Sequence, residues 1–178
     1  MIRDFIHIQD CFLSTQECDD VISFFQKLPM EYNDNGNYHG VFLEDDSPHL
    51  NDDKLSFLKG RFQTVLHDYA KNYPELNFLQ PFNLTEIRFK HWKKNKHFDK
   101  WHSEHSYTTP LRVLNFMIYL SKHNCGTEFF NRGLVKSEKG RLVIFPSYFT
   151  HTHRGTPCPE GKDRYMFGGY FNFIKKIN

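Results

Sequence analysis

Long apolar runs are missing from this 178-residue chain, and no stretch approaches the length that spans a bilayer. Met1-Ile2-Arg3-Asp4 opens it without the apolar segment of a secretory leader. A charge excess is missing too. The 23 basic and 21 acidic residues leave a net charge of +2, which gives no electrostatic handle for nucleic acid. The basic runs Lys93-Lys94 and Lys175-Lys176 are short and read as solvated surface. Cysteine is sparse: Cys11, Cys18, Cys125 and Cys158 include no CxxC pair, and a chain of this size needs no disulfide framework. They are expected to be free thiols in a reducing compartment, with the cytoplasm as the default location. There is no internal repeat, low-complexity tract or linker, so one domain over residues 1–178 is expected.

What the chain does have is aromatic residues, 17% of the total with 19 Phe, which favour strands and line apolar cavities. The first 80 or so residues carry two helical patterns. Phe5 to Phe12 reads as a short strand, and Ser14-Thr15-Gln16-Glu17 as a capping box. Val21, Ile22, Phe24, Phe25 and Leu28 then form the apolar stripe of a helix ending near Pro29. Residues 31–50 hold Asn, Asp, Gly and His with few apolar anchors and read as a loop or lid. A second helix is expected from about residues 51–53, with Leu55, Leu58, Phe62, Val65, Leu66 and Tyr69 at helical spacing until Pro74 stops it. Beyond Phe78 the pattern changes to strands over 84–92, 111–121, 126–130, 141–146 and 164–174. Val113 to Leu120 is apolar enough for a strand buried on both faces. Helices followed by many short strands predict an α+β, mainly β protein with helices packed on a jelly-roll or barrel.

The chemistry-bearing residues sit in two segments, Lys100-Trp101-His102-Ser103-Glu104 and His151-Thr152-His153-Arg154-Gly155-Thr156-Pro157. In an extended strand, residues i and i+2 face the same side, so His102 and Glu104 would enter one cavity together. A second imidazole from downstream would complete a two-histidine, one-carboxylate face, the ligand set of non-haem Fe(II) oxygenases. Spacing alone is weak support among eleven histidines, and His97-Phe98-Asp99 is a second pair of the same kind. His151 and His153 share strand parity, so either fits downstream. His105 reads as surface or as a neighbour of the site, and His7, His39, His49, His67, His91 and His123 as surface.

The order of the pieces adds to this reading. The HxE segment is followed by the buried strand ending in Tyr119-Leu120, then Cys125-Gly126-Thr127-Glu128-Phe129, Gly140 to Pro146, His153 and Arg164-Tyr165-Met166-Phe167. As an ordered set over residues 84–174, this resembles the iron(II)/2-oxoglutarate-dependent dioxygenases of the prolyl 4-hydroxylase type. Trp101-His102-Ser103-Glu104 is similar to that family's HxD, Gly126-Thr127-Glu128-Phe129 to its Gly-Gly-x-Thr-x-Phe, and His153-Arg154-Gly155-Thr156-Pro157 to its His-Ala-Gly-x-Pro. Proline spacing in that pattern favours His153 over His151, and His97 falls too early.

The resemblance implies a double-stranded β-helix (jelly-roll) core with the N-terminal helices on one sheet. It further implies an oxidoreductase with His102, Glu104 and His153 as metal ligands. Arg164 would anchor the 2-oxoglutarate carboxylate, Tyr119 would offer it a hydroxyl, and Trp92 would line its site. Arg154 would face outward. Fe(II), 2-oxoglutarate and O₂ follow as cofactor and co-substrates, with L-ascorbic acid as a candidate reductant. Glu104 stands where aspartate is usual, Cys125 replaces the first glycine, and Trp92 and Asn95 stand where Tyr and Gly are usual. The retained carboxylate implies hydroxylation rather than halogenation. A prolyl or other peptidyl side chain is the expected substrate, a small free metabolite the alternative, and a non-catalytic jelly-roll binding module the alternative from another class. No two-arginine demethylase pattern is found, which argues against nucleic acid.

Overall fold

The computed structural model describes residues 4–33, 38–44 and 53–174. Two helices come first. Ser14 caps α1 (Thr15–Phe25): its hydroxyl accepts from the Glu17 amide at 3.2 Å, and the Glu17 carboxylate accepts from the Ser14 amide at 2.8 Å. The helix stops four residues short of Pro29 and buries Cys18, Val21 and Phe25. α2 (Asp53–Asn72) ends where Pro74 opens a 3-10 turn, since proline has no amide to continue the ladder.

The strands are β1 (His7–Gln9), β2 (Glu31–Asn33), β3 (Tyr38–Glu44), β4 (Phe82–Trp92), β5 (Arg112–Tyr119), β6 (Gly126–Phe129), β7 (Gly133–Lys136), β8 (Leu142–Pro146), β9 (His153–Gly155) and β10 (Arg164–Phe173). Among the described residues seven form one sheet, in the order β1-β8-β5-β10-β4-β3-β2, and three form a second, β7-β6-β9; all the pairings are antiparallel. The result is a jelly-roll in which α1 and α2 cover the outer face of the large sheet. Phe25, Leu58, Phe62, Val65 and Tyr69 pack there against Phe89, Phe116, Ile118, Ile144 and Phe167. Every residue of β5 is buried, as its apolar run requires. A smaller apolar cluster, Met117, Tyr119, Phe129, Val135, Val143 and Phe145, lies between the two sheets. Within the small sheet Gly126 allows β6 to lie close against β7, because a Cβ there would run into the Val135 carbonyl.

Several expectations fail. The stretch read as a loop contains β2 and β3, and β3 pairs with β4 along its length from Tyr38↔Trp92 to Glu44↔Glu86. Val41 and Leu43 alternate into the core, a pattern too short to stand out beside polar turn residues. Residues 34–37 and 45–52, with His49, lie outside the described residues, as do Met1 to Arg3 and Lys175-Lys176. His91 and His123 are buried rather than on the surface. The cysteine reading is corrected for one pair. Cys11 and Cys18 are free, but Cys125 and Cys158 form a disulfide. Cys125 precedes β6 and Cys158 follows β9, and the β6–β9 pairing brings residues 33 apart in sequence to a Cα separation of 4.9 Å. No helix among the described residues is long and apolar enough to cross a membrane.

Candidate active site

The inner face of the large sheet and the small sheet enclose a cavity of about 200 Å³. Strand alternation decides what enters it. On β4 the odd residues Ile87 and Phe89 go to the helices, whereas Arg88, Lys90 and Trp92 line the cavity. On β5 the cavity residues include Asn115, Met117 and Tyr119, and on β10 they include Arg164, Met166, Gly168 and Tyr170.

At one end of the cavity His102, Glu104 and His153 offer ligand atoms within 4.8 Å of one another, an arrangement that could hold a metal ion. Glu104 Oε1 lies 3.5 Å from His102 Nε2 and 3.7 Å from His153 Nε2. The expected regular strand through residues 102–104 is absent. Instead His102 makes an isolated antiparallel bridge with His153, through bonds from each amide to the other's carbonyl of 3.1 and 2.9 Å. That bridge brings the two rings together, with centroids 4.3 Å apart.

The rings are oriented by their other nitrogens. His102 Nδ1 is 3.0 Å from the Lys100 carbonyl, and His153 Nδ1 is 2.9 Å from the His151 carbonyl. A carbonyl can only accept, so each Nδ1 carries the proton and each Nε2 presents a lone pair to the cavity. His151 differs. It sits in a 3-10 turn, Phe149–His151, so strand parity does not apply to it. Its Nε2 donates to the Asp4 carbonyl at 2.7 Å and its Nδ1 is 2.9 Å from the Thr150 hydroxyl, so both nitrogens are taken. His97 and Asp99 do not line the cavity, although Phe98 between them does.

Glu104 is held by residues that the sequence reading did not single out. Tyr170 donates to Oε2 at 2.7 Å, Asn115 Nδ2 donates to Oε1 at 3.1 Å, and Arg112 reaches Oε2 at 3.3 Å. Arg112 is itself paired with Glu86 at 2.8 Å and lies over the Tyr170 ring. Burial alone would raise the Glu104 pKa, but the opposing interactions, the nearby Lys90 charge among them, outweigh it, so the carboxyl stays well below its ordinary range. The longer glutamate arm is thereby ionised and fixed. The only sequence signal for its holders was parity on β5 and β10.

At the other end Arg164 is buried, its guanidinium lying 4.6 Å over the Trp92 ring. Among the described residues it faces no carboxylate. Its Nη1 contacts are long, 3.5 Å to Cys125 Sγ, 3.6 Å to Cys158 Sγ and 3.5 Å to the Thr156 carbonyl, and its Nε has no partner. Desolvation lowers its pKa to about 10. Tyr119 lines the cavity, but its hydroxyl is committed to Thr127 Oγ1 at 2.8 Å, so a contact with a co-substrate requires that bond to be exchanged. Trp92 Nε1 is buried without a partner. Lys90, also missed, lies near the Tyr38 and Trp92 rings. Arg154 faces away, paired with Glu128 at 2.8 Å, and His105 bonds the Arg112 carbonyl at 3.2 Å.

A family model described as the 2OG-Fe(II) oxygenase superfamily matches residues 87–172, the span that contains all six residues expected at the site. These residues belong to the 2OG-Fe(II) oxygenase superfamily. The chain also has the fold of solved prolyl hydroxylases. One is the viral collagen prolyl hydroxylase of Paramecium Bursaria Chlorella virus-1, in its 2OG complex (16% identity, 96% of this chain and 97% of that one, TM-score 0.69). Another is a Pseudomonas putida prolyl-4-hydroxylase (14%, 96% and 93%, 0.72). A third is a Trichoplax adhaerens prolyl hydroxylase in complex with a hypoxia inducible factor oxygen degradation domain peptide fragment (13%, 95% and 84%, 0.71). At these identities the likeness establishes the fold alone. No curated protein matches this sequence.

Proposed function

We propose that residues 1–178 act as one unit in which His102, Glu104 and His153 hold Fe(II) and Arg164 anchors 2-oxoglutarate, for hydroxylation of a prolyl or other peptidyl side chain. The observation that carries this is the Arg164 guanidinium, buried in the same cavity as the three donors and facing no carboxylate among the described residues. A buried cation without an anion is costly. Here the missing partner has the chemistry of the distal carboxylate of an oxoacid, which a planar guanidinium grips through parallel hydrogen bonds. The donor set fits iron as well: two neutral imidazoles and one ionised carboxylate suit Fe(II) and leave coordination positions free.

Bound there, Fe(II) and 2-oxoglutarate supply the activation of O₂ that puts one oxygen atom into a C–H bond, the oxoacid leaving as succinate and CO₂. The chain's own residues bind, orient and exclude water. The Lys100 and His151 carbonyls fix the ring tautomers, and Tyr170 and Asn115 keep the Glu104 carboxylate turned toward both histidines. Trp92, Phe98 and Met166 give the cavity apolar walls. Trp92 supports the Arg164 plane from below, and Tyr119 holds Thr127 at the wall. A peptidyl substrate is supported by the similarity of the fold to prolyl hydroxylases, one of them solved with a peptide. Ascorbate as reductant rests on the family resemblance.

Calorimetric titration of 2-oxoglutarate into the full chain, with and without Fe(II), tests the reading. Binding is expected to need the metal and to be accompanied in air by succinate release; oxoglutarate that binds neither alone nor with iron would overturn it. Mass spectrometry of proline-containing peptides for one added oxygen then tests the substrate class.

A further inference from the structure

We propose that His123, Cys125, Cys158 and Glu160 form, when the disulfide is reduced, a second metal site for a tetrahedral divalent cation of the zinc class. His123, Cys158 and Glu160 offer ligand atoms within 4.8 Å of one another, and Cys125 Sγ is bonded to Cys158 Sγ, so a fourth donor lies at the same point. Two sulfurs, one imidazole and one carboxylate make a closed four-donor set of the kind zinc takes.

The second observation concerns atoms left unpaired. His123 is buried, and its Nε2 is 2.9 Å from the Ser121 hydroxyl, while its Nδ1 has no hydrogen bond of ordinary geometry. Glu160 uses Oε1 to accept from the Asn124 amide, and its Oε2 is buried with no partner. Natural proteins leave few such atoms unsatisfied, and these two flank the same pair of sulfurs. Ser121 holding the far nitrogen is what a metal-bound histidine requires, since it fixes the ring and the tautomer.

The backbone there is fixed in advance. The His123 amide donates to the Ser137 carbonyl at 3.0 Å, and the Ser137 amide to the Cys125 carbonyl at 2.8 Å. Arg164 Nη1, 3.5 and 3.6 Å from the two sulfurs, would balance the charge of two thiolates and a carboxylate around a divalent ion.

The redox step balances with a dithiol reductant. Its two electrons break the S–S bond by exchange, it becomes a disulfide, and its two hydrogens end on Cys125 and Cys158. The incoming cation then displaces both thiol protons. In the disulfide form no thiolate exists and the set is incomplete.

Cobalt(II) is the probe. The full chain, reduced with a phosphine, should take up cobalt with a thiolate-to-cobalt charge-transfer band that zinc abolishes, and the disulfide form should give none. The His102, Glu104 and His153 cluster contains no sulfur, so it cannot produce this band, and its success or failure with iron is read separately. Cys158→Ser should remove the band, and Ser121→Ala should weaken zinc binding by about 10–100-fold. Where Cys158→Ser fails to fold, Glu160→Gln in a natively folded chain should still lower the affinity. Reduced, folded protein without the band, a band undiminished in Cys158→Ser, or Glu160→Gln with unchanged affinity would overturn the proposal.

Discussion

The two faces of the large sheet are built from the same strands and could hardly differ more. Toward the helices, β4, β5 and β10 send Ile87, Phe89, Phe116, Ile118 and Phe167 into a core with no charge in it. One residue away on each strand, Arg88, Lys90, Asn115, Tyr119 and Tyr170 enter the cavity. The period of two thus separates stability from chemistry at the scale of a single residue. Within the cavity a second contrast appears. Glu104 is saturated with hydrogen bonds, while Arg164 Nε and Trp92 Nε1 have none. Saturated groups are held still; bare ones are what a ligand would complete.

The sharpest break in this comparison is expected from His153→Ala. Turnover of 2-oxoglutarate should be lost while the thermal midpoint stays near that of the parent. His151→Ala should do the reverse, since that ring ties the Asp4 carbonyl and does not line the cavity. Succinate release and circular dichroism on both proteins distinguish the two, and an active His153→Ala enzyme would rule out the assignment.

On the outer face, Phe62 is buried against Phe12, Phe116 and Phe167. Phe62→Ala should cost about 3–5 kcal/mol in stability. Denaturant titration reads that loss, and oxoglutarate affinity of the folded fraction should be unchanged. A shifted affinity would mean the two faces are coupled.

Much of the architecture was legible from β5 and from the Ser14 capping box, because both depend on local pattern. The order of the HxE segment, Gly126-Thr127, His153 and Arg164 likewise pointed to one cavity, and all four pieces line it. What was hidden depends on tertiary pairing. β3 is a short apolar run, Val41-Phe42-Leu43, set among polar turn residues and has its place as a strand only beside β4, and Cys125 meets Cys158 only because β6 pairs with β9. The holders of Glu104 come from two strands, Arg112 and Asn115 on β5 and Tyr170 on β10, and no spacing rule links them to residue 104. The HxE pair was read through strand parity, yet the chain at residues 102–104 is held by a lone bridge.

Arg164→Ala should leave iron binding intact and weaken oxoglutarate. Losing one partner of a buried charge pair costs about 2–5 kcal/mol. At about 1.4 kcal/mol per tenfold, that is roughly 30- to several-thousand-fold. Arg164→Lys should fall between, keeping charge but not the planar fork. Equal oxoglutarate affinities for parent and alanine variant would remove the anchor role. Tyr170→Phe deletes one hydroxyl from the Glu104 carboxylate and should weaken Fe(II) binding by about 10–100-fold, as expected for a group that orients a ligand. Iron titration under anaerobic conditions measures it, and a tight Tyr170→Phe site would mean Asn115 and Arg112 suffice.

The smallest effect is expected from Lys90, and it appears only as a pH slope. Burial lowers the Lys90 pKa from 10.5 to about 8, against the opposing attraction of Glu104. In the unfolded chain the ammonium holds its proton up to the higher value, so between the two the unfolded state binds more protons. Stability should therefore rise with pH from about 8 upward, and the Lys90 contribution should be lost as pH falls through that value. Tyrosine ionisation acts in the same range, so the useful quantity is the difference from Lys90→Met, in which this component is removed. Urea midpoints of the two proteins should diverge least at the alkaline end and most below pH 8, with the methionine variant the more stable. Parallel curves would show that Lys90 is solvated in the folded chain, and the cavity would then end at Trp92 rather than extend past it to Tyr38.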